Sequence, residues 1–163
     1  MAKIYISLGS NIEPIRHLKA ALIDLNCHFD ELLLSSVFES EAVGFDGTNF
    51  LNMVVAAETA LPIEAVVATF KQIEQDHGRV KGAKKFAART LDLDLLLYDD
   101  VVCQTPIELP RAEILYNAFV LWPLAEIAPL LTHPVTHEPY QILWDEYDKT
   151  QQHLWPIEFD WSV

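Results

Sequence analysis

The sequence predicts an α+β fold: a ferredoxin-like antiparallel sheet covered by helices, with a C-terminal extension. Three observations carry this. Residues 3–98 run in the order strand, helix, strand, strand, helix, strand, the split βαβ pattern. Side chains of a strand alternate faces, so residues 89–98 place Leu91, Leu93, Leu95 and Leu97 on one side, fit for a core, and Asp92, Asp94, Leu96 and Tyr98 on the other. At the end of the chain Ile157, Phe159, Trp161 and Val163 alternate like one more strand.

Each element has its own signal. Residues 3–8 alternate and end in Gly9, Ser10 and Asn11, a turn cluster. One glycine is too few for a phosphate loop, so this turn reads as structural. Pro14 suits the first turn of a helix whose apolar stripe is Ile15, Leu18, Leu22 and Leu25, with Asn11 as a candidate cap. Residues 32–40 read as a second strand, 41–49 as a loop with Gly44 and Gly47, and 50–57 as a third strand. Within the third strand, Asn52 lies opposite in face to Leu51 and Met53. Pro62 opens a second helix with the stripe Ile63, Val66, Val67, Phe70 and Ile73, and Gly78 is a good stop. Lys71 and Glu74 share its polar side, three apart, and are placed to pair. Beyond Tyr98, Pro106 and Pro110 bracket an extended piece. Residues 119–127 are apolar, with Pro123 and Pro129 limiting any long helix, and 141–147 suit a short one. His133 and His137 read as loop histidines, because Pro134 between them argues against a helical metal pair; none of the six histidines is given a role.

With 163 residues, 51% hydrophobic and 21% charged, residues 1–163 are expected to form a single globular domain. No apolar run reaches the length of a membrane span, and the first residues lack a signal-peptide layout. Cys27 and Cys103 have no metal or redox spacing and read as reduced thiols of a cytoplasmic protein. A formal net charge of −13 argues against a nucleic-acid partner but not against a nucleotide substrate, whose site needs only local cations and bound metal. No membrane partner is expected, and a monomer is.

The chemistry concentrates around residues 79–94. Two aspartates one pleat apart repel, and a hard divalent cation held by the carboxylates and by substrate phosphates answers that repulsion. The bland reading is an exposed acidic face. It is weaker because aspartate is depleted in strands and here occurs twice on one face. Arg79, Lys81, Lys84, Lys85 and Arg89 make a local basic patch just before the acid pair, and cations beside metal-type carboxylates are what phosphoryl transfer uses. A solubilising loop would explain these lysines but not their concentration. Asn52 offers donors and an acceptor; taken alone, it reads as a strand-end asparagine.

The stretch Arg89-Thr90-Leu91-Asp92-Leu93-Asp94-Leu95-Leu96-Leu97-Tyr98 resembles the signature of the hydroxymethyldihydropterin pyrophosphokinases of folate biosynthesis. Ile4-Tyr5-Ile6-Ser7-Leu8-Gly9-Ser10-Asn11 is similar to that family's opening, and Phe50-Leu51-Asn52, Gly78-Arg79 and Phe119-Val120-Leu121-Trp122-Pro123-Leu124 support it. The resemblance implies transfer of pyrophosphate from ATP to the hydroxymethyl arm of a reduced pterin, with two Mg²⁺ and release of AMP. It implies that Asp92 and Asp94 hold metal and that Arg79 and Arg89 act with them in catalysis. The expected ATP contacts are Lys71, Glu74, Arg79, Lys81 and Arg89, joined by Arg111 as a cation standing where the family usually carries a histidine. Asn52 would read the pterin edge, Phe86 and Phe119 would sandwich the ring, and Ser40 and Val43 would line it.

Three departures stand against the family pattern. Ala87-Ala88 replaces a Gly-Pro before the signature arginine, Pro110-Arg111-Ala112 stands where the family usually has Pro-His-Pro or Pro-His-Tyr, and Asn117 replaces an arginine shortly before the phenylalanine that stacks on the pterin. The last two put ATP handling in question, which leaves an alternative: a catalytically impaired pterin- or nucleotide-binding relative acting as a binding module.

Overall fold

In the computed structural model, which describes residues 1–41, 49–78 and 90–161, the chain folds as an antiparallel sheet with helices on both faces. In chain order the elements are β1 (Ala2–Ser10), α1 (Pro14–His28), β2 (Asp30–Leu34), β3 (Val37–Ser40), β4 (Phe50–Thr59), α2 (Ile63–Asp76), β5 (Asp92–Tyr98), a 3-10 turn (Ala112–Leu115), α3 (Ala118–Ile127), α4 (Tyr140–Glu146) and β6 (Leu154–Ile157). The sheet order is β5-β1-β4-β3-β6, with β2 also on β4. Its first four strands are the ferredoxin-like order that the sequence predicts.

Two cores follow from the alternation of β1 and β4. Ile4, Ile6 and Leu8 of β1, with Leu51, Met53, Val55 and Ala57 of β4, face Leu18, Ala21 and Leu25 of α1 and Val66, Phe70 and Ile73 of α2. The intervening residues Tyr5, Val54 and Ala56 face the other way, onto Ala118, Val120, Leu121, Leu124 and Ala125 of α3 and Tyr140 and Trp144 of α4. The sheet is therefore covered on both faces, where the pattern of residues 3–98 alone predicted two helices. Pro123 lies inside α3, which still completes ten residues. A proline in a helix removes one amide and leaves the carbonyl four residues earlier, here that of Phe119, without its helical bond; the apolar face of α3, buried on β4, holds the helix together regardless.

Several expectations need correction. The predicted strand over residues 32–40 is two strands, because Ser35 and Ser36 interrupt it. The Ser35 hydroxyl accepts the Val54 amide at 2.9 Å, and Ser36 is held by Glu126 through its amide and its hydroxyl. Gly9 and Ser10 are not a turn; they finish β1, opposite Asn52 and Leu51. Asn11 does not cap α1, whose N-cap position is Glu13, without a side-chain cap bond. Gly78 does have the left-handed φ of 84° expected of a helix stop. The final strand lies earlier than the alternation of 157–163 suggested. Leu154–Ile157 pairs with β3, and Pro156 is tolerated because β6 is an edge strand.

The largest shift is in β5. Its register with β1 slips between Tyr5 and Ile6, so that Ile6 faces Leu95 and Tyr5 faces Leu97, with Leu96 as the extra residue of a bulge. The bulge reverses the faces beyond it. Leu97 joins Leu96 against α3, and Tyr98 turns to the α1–α2 core, where its hydroxyl donates to the Leu61 carbonyl at 2.7 Å.

Two histidines without an assigned chemistry turn out to tie α1 to α2. His17 Nδ1 lies 2.7 Å from His77 Nδ1, and His77 Nε2 lies 3.3 Å from Asp24. Only one proton fits between the two Nδ1 atoms. Burial, then the neighbouring His77 and Arg16, hold the His17 pKa below its ordinary value. His133 is buried too, accepts the Val135 and Thr136 amides on Nδ1, and is lowered by burial and by His137. A base whose pKa is depressed on folding adds stability above the unfolded value near 6.5, and loses it as pH falls through that value toward the folded one. The melting temperature is therefore expected to fall between pH 7.5 and 5.5, and to fall less in His17→Gln. An equal slope in both would show that the contact does not titrate.

The Tyr140 hydroxyl is buried in the second core and has no hydrogen-bond partner among the described residues. Burying a hydroxyl without a partner costs about 1–3 kcal/mol. Tyr140→Phe is expected to stabilise the fold by about 1 kcal/mol in denaturant unfolding; a loss of stability would mean that the hydroxyl is satisfied by water.

Candidate active site

Gly9 stands opposite Asn52 on one side and Asp92 on the other, and Asn52 stands opposite Phe38. One cross-strand row thus reads Asp92, Gly9, Asn52, Phe38. Adjacent strands are about 4.8 Å apart, which sets the Asp92 and Asn52 backbones roughly 10 Å from each other. The next row begins Asp94, Ser7, Val54. By alternation all of these residues lie on the α3 face, and Phe38 stacks there on Trp122 of α3, with ring centroids 4.7 Å apart. Ser40, opposite Phe50, shares the face and is half-buried at the end of β3. Phe119, the second residue of α3, is half-buried against the same core.

Gly9 owes its identity to this row. A Cβ placed on it would lie 2.6 Å from Asn52 Nδ2, closer than real contacts allow. The glycine therefore lets the buried Asn52 amide lie flat across the strand. Gly9→Ala is expected to displace that amide; on the role that the resemblance implies for Asn52, this weakens pterin binding about tenfold or more, with a smaller effect on ATP binding, measurable by calorimetry. Equal affinities in Gly9→Ala and the parent would separate Asn52 from recognition. Sequence reasoning missed this because a glycine before Ser-Asn resembles a turn; the only available signal was its place opposite a polar residue in the neighbouring strand.

Asp92 and Asp94 both point to the α3 face, half-buried, on the edge strand β5. The backbone between them is fixed from α2: Glu74 Oε2 accepts the Leu93 amide at 2.9 Å. An edge strand has outward amides to satisfy, and a carboxylate does so strongly. Among the described residues no ion pair joins Glu74 to Lys71, which is exposed on α2. Glu74 thus fixes the backbone between the two aspartates with one of its carboxylate oxygens.

Arg111 comes to the pair from the far side of the bulge. Its amide donates to the Leu96 carbonyl at 3.0 Å, so the bulge that re-aims β5 also anchors Arg111. The guanidinium divides between two carboxylates, with Nη2 3.4 Å from Asp94 Oδ1 and Nε 3.1 Å from Glu113 Oε1. The structure therefore brings Asp92, Asp94, Arg111 and Glu74 together at one end of β5, and Asn52, Ser40 and Phe119 to the adjoining part of the same face. Val43, Arg79, Lys81, Phe86 and Arg89 lie outside the described residues. Glu113 was not foreseen, and its spacing of two from Arg111 was the only hint.

Among the described residues no three His, Cys, Asp or Glu side chains gather as metal ligands. The two aspartates nevertheless suit a hard cation. They offer oxygen donors only, and the guanidinium against Asp94 marks a place where positive charge is held. A cation such as Mg²⁺ takes one or two carboxylates and completes its shell with water and phosphate oxygens.

Comparison with known proteins agrees with this geometry. Residues 5–129 match the family described as 7,8-dihydro-6-hydroxymethylpterin-pyrophosphokinase. A 2-amino-4-hydroxy-6-hydroxymethyldihydropteridine pyrophosphokinase of Aquifex aeolicus is 35% identical over 142 residues, covering 85% of this chain and 88% of that protein. The protein of that name in Pseudomonas aeruginosa is 36% identical over 138 residues, covering 81% and 84%. In fold the chain is similar to wild-type HPPK-DHPS of Plasmodium falciparum, with a TM-score of 0.74 at 12% identity, over 92% of this chain and 46% of that one. With the acid pair, its arginine and the asparagine row set on one face, and with full-length relatives matched over most of their length, this chain belongs to the hydroxymethylpterin pyrophosphokinase family.

Proposed function

We infer that Asp92 and Asp94 are the metal-holding carboxylates of a diphosphotransferase. The reaction is transfer of pyrophosphate from ATP to 6-hydroxymethyl-7,8-dihydropterin, a step of folate synthesis, and family membership carries it. The pterin hydroxyl oxygen forms a bond to the β-phosphorus of ATP, the bond from that phosphorus to the α-phosphate side breaks, and AMP leaves with the bridging oxygen. No covalent enzyme intermediate is needed, because the work is positioning and charge stabilisation.

The observation that supports these roles best is the Asp94–Arg111 contact on the face that also carries Asn52. When bound, Mg²⁺ would neutralise phosphate charge, and two ions are proposed. Asp92 and Asp94 would hold it in place, Glu74 fixes the strand between them, and Arg111 would meet phosphate oxygens. Arg79, Lys81 and Arg89 are proposed as further ATP contacts, with Arg79 and Arg89 stabilising the charge that develops in transfer. Lys71, exposed on α2, would reach ATP only at its periphery. Asn52 pairs with the pterin amide edge, Phe119 and Phe86 sandwich the ring, and Ser40 and Val43 line it. A monomeric, single-domain protein of the cytoplasm is proposed; separately, among the described residues no helix is long and apolar enough to cross a membrane.

The test is AMP release from ATP in the presence of Mg²⁺ and the hydroxymethyl pterin. Pterin-dependent AMP is the expected product. ADP in its place, or no pterin-dependent turnover, would overturn the reading and leave the binding module, which no observation made here favours.

A further inference from the structure

Behind Arg111 runs a chain of side chains that ends in the C-terminal segment. Glu113 Oε1 accepts from Arg111 Nε at 3.1 Å, and Glu113 Oε2 accepts from Asn117 Nδ2 at 2.8 Å. Asn117 Oδ1 accepts from Gln152 Nε2 at 3.0 Å, and Gln152 Oε1 accepts the Ala118 amide at 2.6 Å. Both ends of this chain have fixed polarity. A carboxylate only accepts and a backbone amide only donates. Neither the Asn117 nor the Gln152 amide can therefore flip without setting two like groups against each other.

Gln152 does two things at once. The N-cap residue Asn117 makes no side-chain cap bond to α3, so the Ala118 amide, an orphan of the helix start, is met from the tail by Gln152. Through Asn117 and Glu113 the same residue fixes the fork of Arg111 over Asp94. Two residues later β6 begins, and Leu154 pairs with Ser40.

We propose that Gln152 is a positioning residue of the active site, through which the C-terminal segment sets Arg111 for the ATP phosphates. This rests on the reading of Asp94 and Arg111 given above. Asn117, which replaces an arginine of the family pattern, is on this account a link in the chain. Arg111 supplies the cation, and the tail supplies the support that keeps it in place.

Gln152→Glu separates the two tasks. A carboxylate at 152 still accepts the Ala118 amide and suits a helix N-terminus, but it has no donor for Asn117 Oδ1, so only the link toward Arg111 breaks. Titration with Mg²⁺ and an unreactive ATP analogue is expected to give an affinity about tenfold weaker than the parent, the factor that one hydrogen bond in a charged chain is worth. The melting temperature should be unchanged or higher, and binding of the pterin to protein saturated with the analogue should be unchanged. Gln152→Ala should lose the cap as well, lowering both the melting temperature and pterin affinity. In an Arg111→Ala background, Gln152→Glu should cost nothing more. Parent-like analogue affinity in Gln152→Glu, or a full tenfold loss persisting in the Arg111→Ala background, would overturn the proposal. Asp94→Asn is the control for the underlying reading: if it binds the analogue with Mg²⁺ normally, that reading has failed, whatever Gln152 does.

Discussion

Asp92→Ala and Asp94→Ala are each expected to lower turnover by at least ~10³-fold while the protein stays folded. Metal-assisted neutralisation of phosphate charge contributes several kcal/mol to transition states of this kind, and about 1.4 kcal/mol corresponds to each factor of ten. Both side chains are half-buried on the α3 face rather than packed in a core, so truncation leaves no cavity. The exposed side of each carboxylate and the modest worth of a half-exposed ion pair such as Asp94–Arg111 mean that the melting temperature should change little in either variant. Steady-state AMP release with circular dichroism melting tests both halves. Near-normal turnover in either variant would mean that this carboxylate is only a surface charge, and loss of turnover with unfolding would mean that it supports the strand.

The parts of this site that the sequence disclosed are those with local signals. Asp92 and Asp94 were legible because a period of two puts both on one face, whereas Asn52, taken alone a strand-end asparagine, was singled out only through the family resemblance. What was not legible depends on how strands meet. The bulge at Leu96 has no local mark in a run of leucines, and it decides that Leu97 faces α3 and that the Leu96 carbonyl is open to the Arg111 amide. Gly9 reads as a turn until its neighbour across the sheet is known to be Asn52. The split at Ser35 and Ser36 has the same origin, since hydroxyl groups that replace ladder bonds look like ordinary strand serines.

The same distinction explains the second core. The order of elements over residues 3–98 is a local reading and gave the sheet and the α1–α2 layer. The other layer comes from α3 and α4, and the proline inside α3 left open whether residues 119–127 would form a helix of any length. Burial outweighed the missing amide: Leu121 and Leu124 on either side of Pro123 are almost wholly enclosed, at 1% and 0% exposure. Fully burying such side chains is worth about 1.5–3 kcal/mol each, the scale on which an interior proline costs about 3.

Arg111→Ala is expected to weaken binding of Mg²⁺ with an unreactive ATP analogue by roughly 10- to 150-fold, the range for one hydrogen bond to a charged group of about 1.5–3 kcal/mol. Pterin affinity should hardly change, because Asn52 lies across the sheet from the Arg111 fork, on the far side of Gly9. Arg111→Lys should not restore the affinity. The guanidinium spans Asp94 and Glu113 with two different nitrogens, and a single ammonium cannot make both contacts in one plane. Binding of Mg²⁺ alone should move the other way. With the guanidinium gone, Asp94 and Glu113 lose a shared positive neighbour, and a divalent cation is drawn more strongly to the remaining negative charge. The two titrations together separate a phosphate ligand from a cation that only neutralises Asp94: tighter metal with weaker analogue is the signature of the first, and tighter metal with unchanged analogue is that of the second.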